Sequence, residues 1–178
     1  DIIVKDLLTF ARPSKSVVEV IHPNMLIHNA LVSFDLFRHR AGAADISIKQ
    51  ELADKEMFVE VDRNQMQQAL FSMLLNAIEA IPLKGDIIVK TYSSIAAIPP
   101  DPKDRKICVI EIKDTGVGIP KEDMAKIFEP FFTTKKNKKG AGLSLSVVRS
   151  IVDKNKGVIS IQSDINKGTI VKIMLSEA

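Results

Sequence analysis

The apolar positions of this chain change period several times, and each change marks an element. Ile3, Leu7, Leu8 and Ala11 stand at helical spacing, and Pro13 ends that run by disfavouring helix at the residue before it. Residues 17–21 suit a short strand, after which His22-Pro23-Asn24 opens a helix predicted over 25–38 with Leu26, Ala30, Phe34 and Phe37 on its apolar side. Ile46-Ser47-Ile48 and Met57-Phe58-Val59 read as two strands. Asp62 then stands where an N-cap belongs, and Met66, Leu70, Met73, Leu74, Ala77 and Ile81 give the next helix a broad stripe that stops at Pro82. Strands over 87–93 and 107–113 follow, joined through the turn-prone Pro99-Pro100-Asp101-Pro102 as an exposed hairpin connection. A loop rich in Lys, Thr and Phe over 120–139, a helix over 141–153 and strands over 158–163 and 169–175 complete the chain. Strands on one side and helices on the other predict an α/β (α+β) two-layer sandwich.

Composition changes that picture little. The 178 residues suffice for one core with an appendage, and 46% hydrophobic with 26% charged residues excludes a disordered chain. A net charge of +3 is too small to imply a nucleic-acid or membrane surface, so no nucleic-acid partner is expected. The single cysteine, Cys108, cannot form an internal disulfide and sits in an apolar run that reads as a buried strand position. No apolar run reaches membrane-span length, and the opening residues lack the layout of a signal peptide. A chain that starts mid-pattern without Met reads as a soluble piece of a longer protein.

Chemistry concentrates in two glycine-rich turns and one helix. Asp114-Thr115-Gly116-Val117-Gly118-Ile119-Pro120 follows a predicted strand directly, placing a carboxylate at the strand end and glycines where the backbone turns tightly. A carboxylate there can accept an exocyclic amine while the main chain approaches a flat ring; a plain surface turn fits the same residues. Gly140-Ala141-Gly142-Leu143-Ser144 opens a helix, whose free N–H groups suit phosphate oxygens, but it lacks the Gly-Lys-Ser/Thr of a P-loop. Asn76 and Glu79 lie three apart on the long helix; both offer oxygen to magnesium shared with phosphates, and both also fit a solvent-facing role.

In series, Asn76-Ala77-Ile78-Glu79-Ala80, Asp114 to Ile119, Ile127-Phe128-Glu129-Pro130-Phe131-Phe132-Thr133-Thr134-Lys135 and Gly140-Ala141-Gly142-Leu143 resemble the boxes of sensor histidine kinases of two-component systems. The likeness is to their catalytic and ATP-binding domain, whose Bergerat fold, a mixed and mostly antiparallel sheet on helices, is shared with the other GHKL ATPases. It spans residues 15–178 and takes in Gly168-Thr169, while residues 1–13 resemble the end of the second helix of the dimerisation and phosphotransfer domain.

The resemblance implies ATP and Mg2+ as cofactors. It makes Asn76 the metal ligand, Asp114 the acceptor for the adenine amine, Gly116, Gly118 and Ile119 the frame of the base, and Gly140, Ala141, Gly142 and Leu143 the phosphate border. Thr169 joins the cofactor site. Phe128, with Phe131 and Phe132, falls in the aromatic box of the lid, where core packing would account for them as well. Asn76, Glu79 and Lys135 are the expected catalytic residues, with Lys135 reaching phosphate as the lid closes and a solvated charge run accounting for Lys136, Lys138 and Lys139. Ser72, Ala141 and Ser144 depart from the residues most members carry, which implies a weakened pocket and not a lost one.

The implied reaction passes the γ-phosphoryl group of ATP to a histidine on the chain's own dimerisation domain and then to the receiver domain of a response regulator, in a cytoplasmic homodimer whose parent protein can be membrane-anchored. His22, His28 and His39 lack the surroundings of the phosphoacceptor. Two alternatives stay open: a degenerate nucleotide-sensing scaffold, and a gyrase-type hydrolase, which would need a glutamate where Ser72 stands.

Overall fold

The computed structural model describes residues 17–41, 45–53, 56–130, 132 and 144–178. The helix expected over 1–12, together with Phe131, Lys135, Gly140, Ala141, Gly142 and Leu143, lies outside the described residues. In chain order the elements are β1 (Val18–Ile21), α1 (Pro23–Ala41), β2 (Ile46–Glu51), β3 (Val59–Asp62), α2 (Arg63–Ala80), β4 (Gly85–Ala96), β5 (Arg105–Asp114), α3 (Ser144–Lys154), β6 (Val158–Asp164) and β7 (Gly168–Ser176).

Asp62 starts α2 as its position predicted, with its side chain accepting from the Gln65 N–H at 3.0 Å, which satisfies one of the helix's orphan donors. The stripe from Met66 to Ile78 is buried, and Pro82 lies just past the last helical residue, Ala80. On α1, Leu26, Ala30 and Phe34 are buried, and the Phe34 ring meets Phe71 of α2 edge-on at 6.2 Å.

Five strands form one sheet in the order β2-β4-β5-β7-β6, with only the β2–β4 pair parallel. The helices cover one face, packed on Ile87, Val89, Ile110, Ile112 and Ile173. Central β5 is buried on both faces, which explains why Ile107 to Ile112 runs apolar instead of alternating. Its one charged residue in that run, Glu111, is held on the outer face by Lys172 at 3.2 Å and the Tyr92 hydroxyl at 3.3 Å. Beside it Ile98, Ile107 and Val109 form a second small core under the β4–β5 connection.

The sequence reading did not separate the strands into two sheets. β1 and β3 pair antiparallel with each other, Val20 opposite Glu60, and a Val59–Glu177 bridge joins them to the end of the chain. Ladder ordering begins at Val59, although Phe58 still accepts from the Ala178 N–H, so the strand expected over 57–59 starts two residues late.

A single side chain ties α3 to the start of α2. Asn155 accepts from the Asp62 N–H at 2.7 Å and donates to the Ile151 carbonyl at 2.8 Å and Gln65 at 3.4 Å. Asn155→Ala removes all three bonds and is expected to cost about 1–3 kcal/mol. A urea titration checks this as a lower midpoint with unchanged slope.

Candidate functional site

Asp114 ends β5 and is 4% exposed. Its Oδ1 accepts from the backbone N–H of Gly116 at 2.7 Å and of Thr169 at 3.2 Å, while Oδ2 accepts from no described residue. Burial raises the Asp114 carboxyl above its ordinary value, and the two N–H bonds pull partly against that shift. The result is a carboxylate held rigidly by one oxygen, with the other oxygen uncommitted among the described residues.

The turn after Asp114 is fastened on three sides. Thr115 and Asp86 exchange backbone and hydroxyl contacts at 3.1 and 2.9 Å, Val117 donates to the Ala80 carbonyl at 2.9 Å, and Ile119 donates to the Ser163 hydroxyl at 2.9 Å. Its glycines are required by protein packing. A Cβ on Gly116 would stand 2.5 Å from the Ala80 oxygen and 2.7 Å from the Ala80 Cβ. Gly118 has φ +73°, and a Cβ there would stand 2.0 Å from the Asp164 carbonyl oxygen. The β6–β7 turn answers in kind: Gly168, at φ +85°, approaches the Asp114 carbonyl equally closely, and Asn166 donates to Val117 at 2.8 Å.

Because the Ala80 Cβ faces Gly116, the residues four and eight positions earlier on α2, Asn76 and Ser72, lie along the same face of that helix. Asn76 is half-buried and Ser72 buried, whereas Glu79 is exposed. The fold therefore gathers Asp114, Gly116, Gly118, Ile119 and Thr169 into one corner and turns Asn76 toward it. Phe128, expected with them, lies instead under the Arg149 guanidinium at 5.0 Å, a cation–π contact. It lines a groove of about 440 Å³ that also includes Pro99 and Pro100. These prolines flank the opposite end of β5 from Asp114, roughly 30 Å away at ~3.4 Å per residue.

Ser163 escaped the sequence reading. It is the cross-strand partner of Thr169, and its hydroxyl meets Ile119, Gly168 and Thr169. A lone serine on a strand carries no sequence signal; only the register reveals it.

The donor set fits a magnesium ion brought by phosphates. Among the described residues no group of three or more His, Cys, Asp or Glu could form an all-protein cage, and magnesium characteristically takes one or two protein oxygens plus phosphate and water. Asn76, half-buried on the face toward the corner, can supply one such oxygen.

Sensor kinase CckA of Brucella abortus (strain 2308) is 34% identical over 97% of the chain, and the chain spans 18% of that relative's length. Two solved structures share the fold. Mycobacterial sensor histidine kinase MprB is 25% identical with a TM-score of 0.72, covering 90% of this chain and 98% of its own. The catalytic domain of histidine kinase ThkA is 26% identical with a TM-score of 0.72, covering 90% of this chain and 96% of its own. No helix among the described residues is long and apolar enough to cross a membrane. Residues 61–178, which run from β3 to the chain end and hold every residue of the Asp114 corner, match the family described as histidine kinase-, DNA gyrase B-, and HSP90-like ATPase. With that match covering well over half of its length, the chain belongs to this ATPase family.

Proposed function

We propose that the chain is the ATP-binding catalytic domain of a sensor histidine kinase, over residues 15–178, and that it passes the γ-phosphoryl group of ATP to a histidine on a dimerisation domain whose last helix ends in residues 1–13. The observation that carries the reading is the half-committed Asp114: Oδ1 clasped by two backbone amides, Oδ2 left to accept from a base, and Asn76 facing the same corner. Asp114 binds the adenine amine, the Gly116–Ile119 turn and Thr169 frame the ring, and Asn76 would hold Mg2+, which neutralises phosphate charge when bound. Gly140, Ala141, Gly142, Leu143, Lys135 and Glu79 stay assigned to the phosphate end on the family pattern. Buried Ser72, where a hydrolase would keep its water-activating carboxylate, favours transfer over hydrolysis. Positioning then does most of the work, since a neutral imidazole brings its own lone pair. The partners that follow are the receiver domain of a response regulator and a second copy of the parent protein, in the cytoplasm.

Calorimetry with ATP, with and without Mg2+, tests this on the 178-residue chain. Magnesium is expected to strengthen binding about tenfold or more, and Asn76→Ala to erase that gain while keeping metal-free binding. A folded, unmutated chain that binds no ATP would overturn the reading in favour of a scaffold domain.

A further inference from the structure

The hydroxyl of Ser163 is fully committed, and its commitments decide what Thr169 can do. A serine hydroxyl has one proton and two lone pairs. The Ile119 N–H, 2.9 Å away, can only donate, and the Gly168 carbonyl, also at 2.9 Å, can only accept. The Ser163 proton therefore goes to Gly168, and one lone pair receives Ile119. The third contact, to the Thr169 hydroxyl at 2.9 Å, then has one solution: Thr169 donates its own proton into the remaining lone pair of Ser163. Thr169 is left with lone pairs alone to offer any other group.

Thr169 stands beside Asp114, to whose Oδ1 its N–H donates at 3.2 Å, so an acceptor-only hydroxyl belongs to the residue next to the Asp114 carboxylate. We propose that Ser163 is a positioning residue for purine selectivity: by taking the Thr169 proton it keeps that hydroxyl an acceptor, which admits a 6-amino purine and rejects a 6-oxo purine in the same pose. The inference rests on the nucleotide reading of the Asp114 corner. An exocyclic amine brings donors to both acceptors, whereas a 6-oxo group sets a lone pair against them, the proton of that base lying on the ring nitrogen N1 and not on the oxygen, a mismatch that leaves buried polar groups unpaired in the same pose. The cross-strand pairing of Ser163 with Thr169 fixes the geometry in the β6–β7 register.

ATP and inosine triphosphate differ at this position and serve as probes, their affinities for the 178-residue chain being measured side by side by calorimetry. Ser163→Ala frees the Thr169 proton to donate to a 6-oxo group, so the ATP-to-ITP affinity ratio is expected to fall about tenfold, with ITP binding gained outright. Ser163→Thr, which keeps the hydroxyl, should restore the ratio. Thr169→Val supplies a second route if Ser163→Ala folds poorly: it removes the acceptor, so the ratio falls through weaker ATP binding with no gain for ITP. A ratio unchanged in Ser163→Ala, both nucleotides weakening by the same factor, would reduce Ser163 to a structural tie and overturn the proposal while leaving the nucleotide site intact. A Thr169→Val ratio that does not move would overturn it as well. Failure of the unmutated folded chain to bind ATP would instead overturn the nucleotide reading, and the proposal with it.

Discussion

Asp114→Asn is expected to weaken ATP binding about 100-fold or more while leaving the fold at least as stable as before. The asparagine keeps an oxygen in place of Oδ1, so the Gly116 and Thr169 N–H groups retain their acceptor. It replaces Oδ2 with an amide nitrogen, which sets donor against donor where the base amine would sit. Stability follows from the raised pKa of Asp114. Burial disfavours the charged carboxylate in the folded chain, so the folded value lies above the unfolded one. A group shifted in that direction supports the fold below its unfolded value and loses that support as pH rises through the folded value. At neutral pH the ionised Asp114 is thus a cost that asparagine removes. Thermal melts of the two proteins should converge as pH falls into the carboxylate range. Binding runs the other way: ATP needs the ionised form, so affinity should begin to fall on acidification at a pH above that of an ordinary aspartate. Asp114→Ala is the contrasting variant, since it strands two N–H donors at about 1–3 kcal/mol each and should lose stability along with binding.

Gly168→Ala should destabilise the chain by about 3 kcal/mol or more, enough to remove much of the margin of an ordinary domain. Its φ of +85° lies in the region that side chains avoid, and the new Cβ would sit 2.0 Å from the carbonyl oxygen of Asp114. The obstacle is backbone at the end of the central strand and cannot swing aside. Relief requires the β6–β7 turn to lift off the Asp114 turn, which would break the Thr169-to-Asp114 bond and the Asn166-to-Val117 bond together. Chemical denaturation read against the unmutated chain checks the size of the loss, and an unchanged midpoint would mean that the two turns are not interlocked as described.

What the sequence made legible was local. Asp62 and the stripe after it mark α2 because a cap and a 3.6-residue period are written within one segment, and the apolar run of β5 marked a strand with Cys108 at a buried position. The separation of β1 and β3 into their own sheet was not legible, because pairing between Val20 and Glu60 is decided by contacts forty residues apart in the chain. Asp114 stood out from its motif, yet the reason for its glycines did not: Gly116 and Gly118 had suggested close approach of a base, and the structure puts the Ala80 and Asp164 carbonyls against them. Ser163 and Asn155 were invisible, since a serine on a strand and an asparagine after a helix acquire meaning only through the partners the fold delivers. Phe128 shows the reverse case, a motif residue whose contact in the fold is Arg149.

Cys108 turns the central strand into its own witness. It is the chain's one sulfhydryl, fully buried in β5, with burial pushing its thiol up to about 12. A thiol-directed reagent meets neither access nor thiolate while β4 and β7 flank that strand. Labelling therefore waits for the sheet to open, and its rate at neutral pH counts those openings. The molecule carries a built-in clock for the breathing of the strand that delivers Asp114, readable without adding a probe.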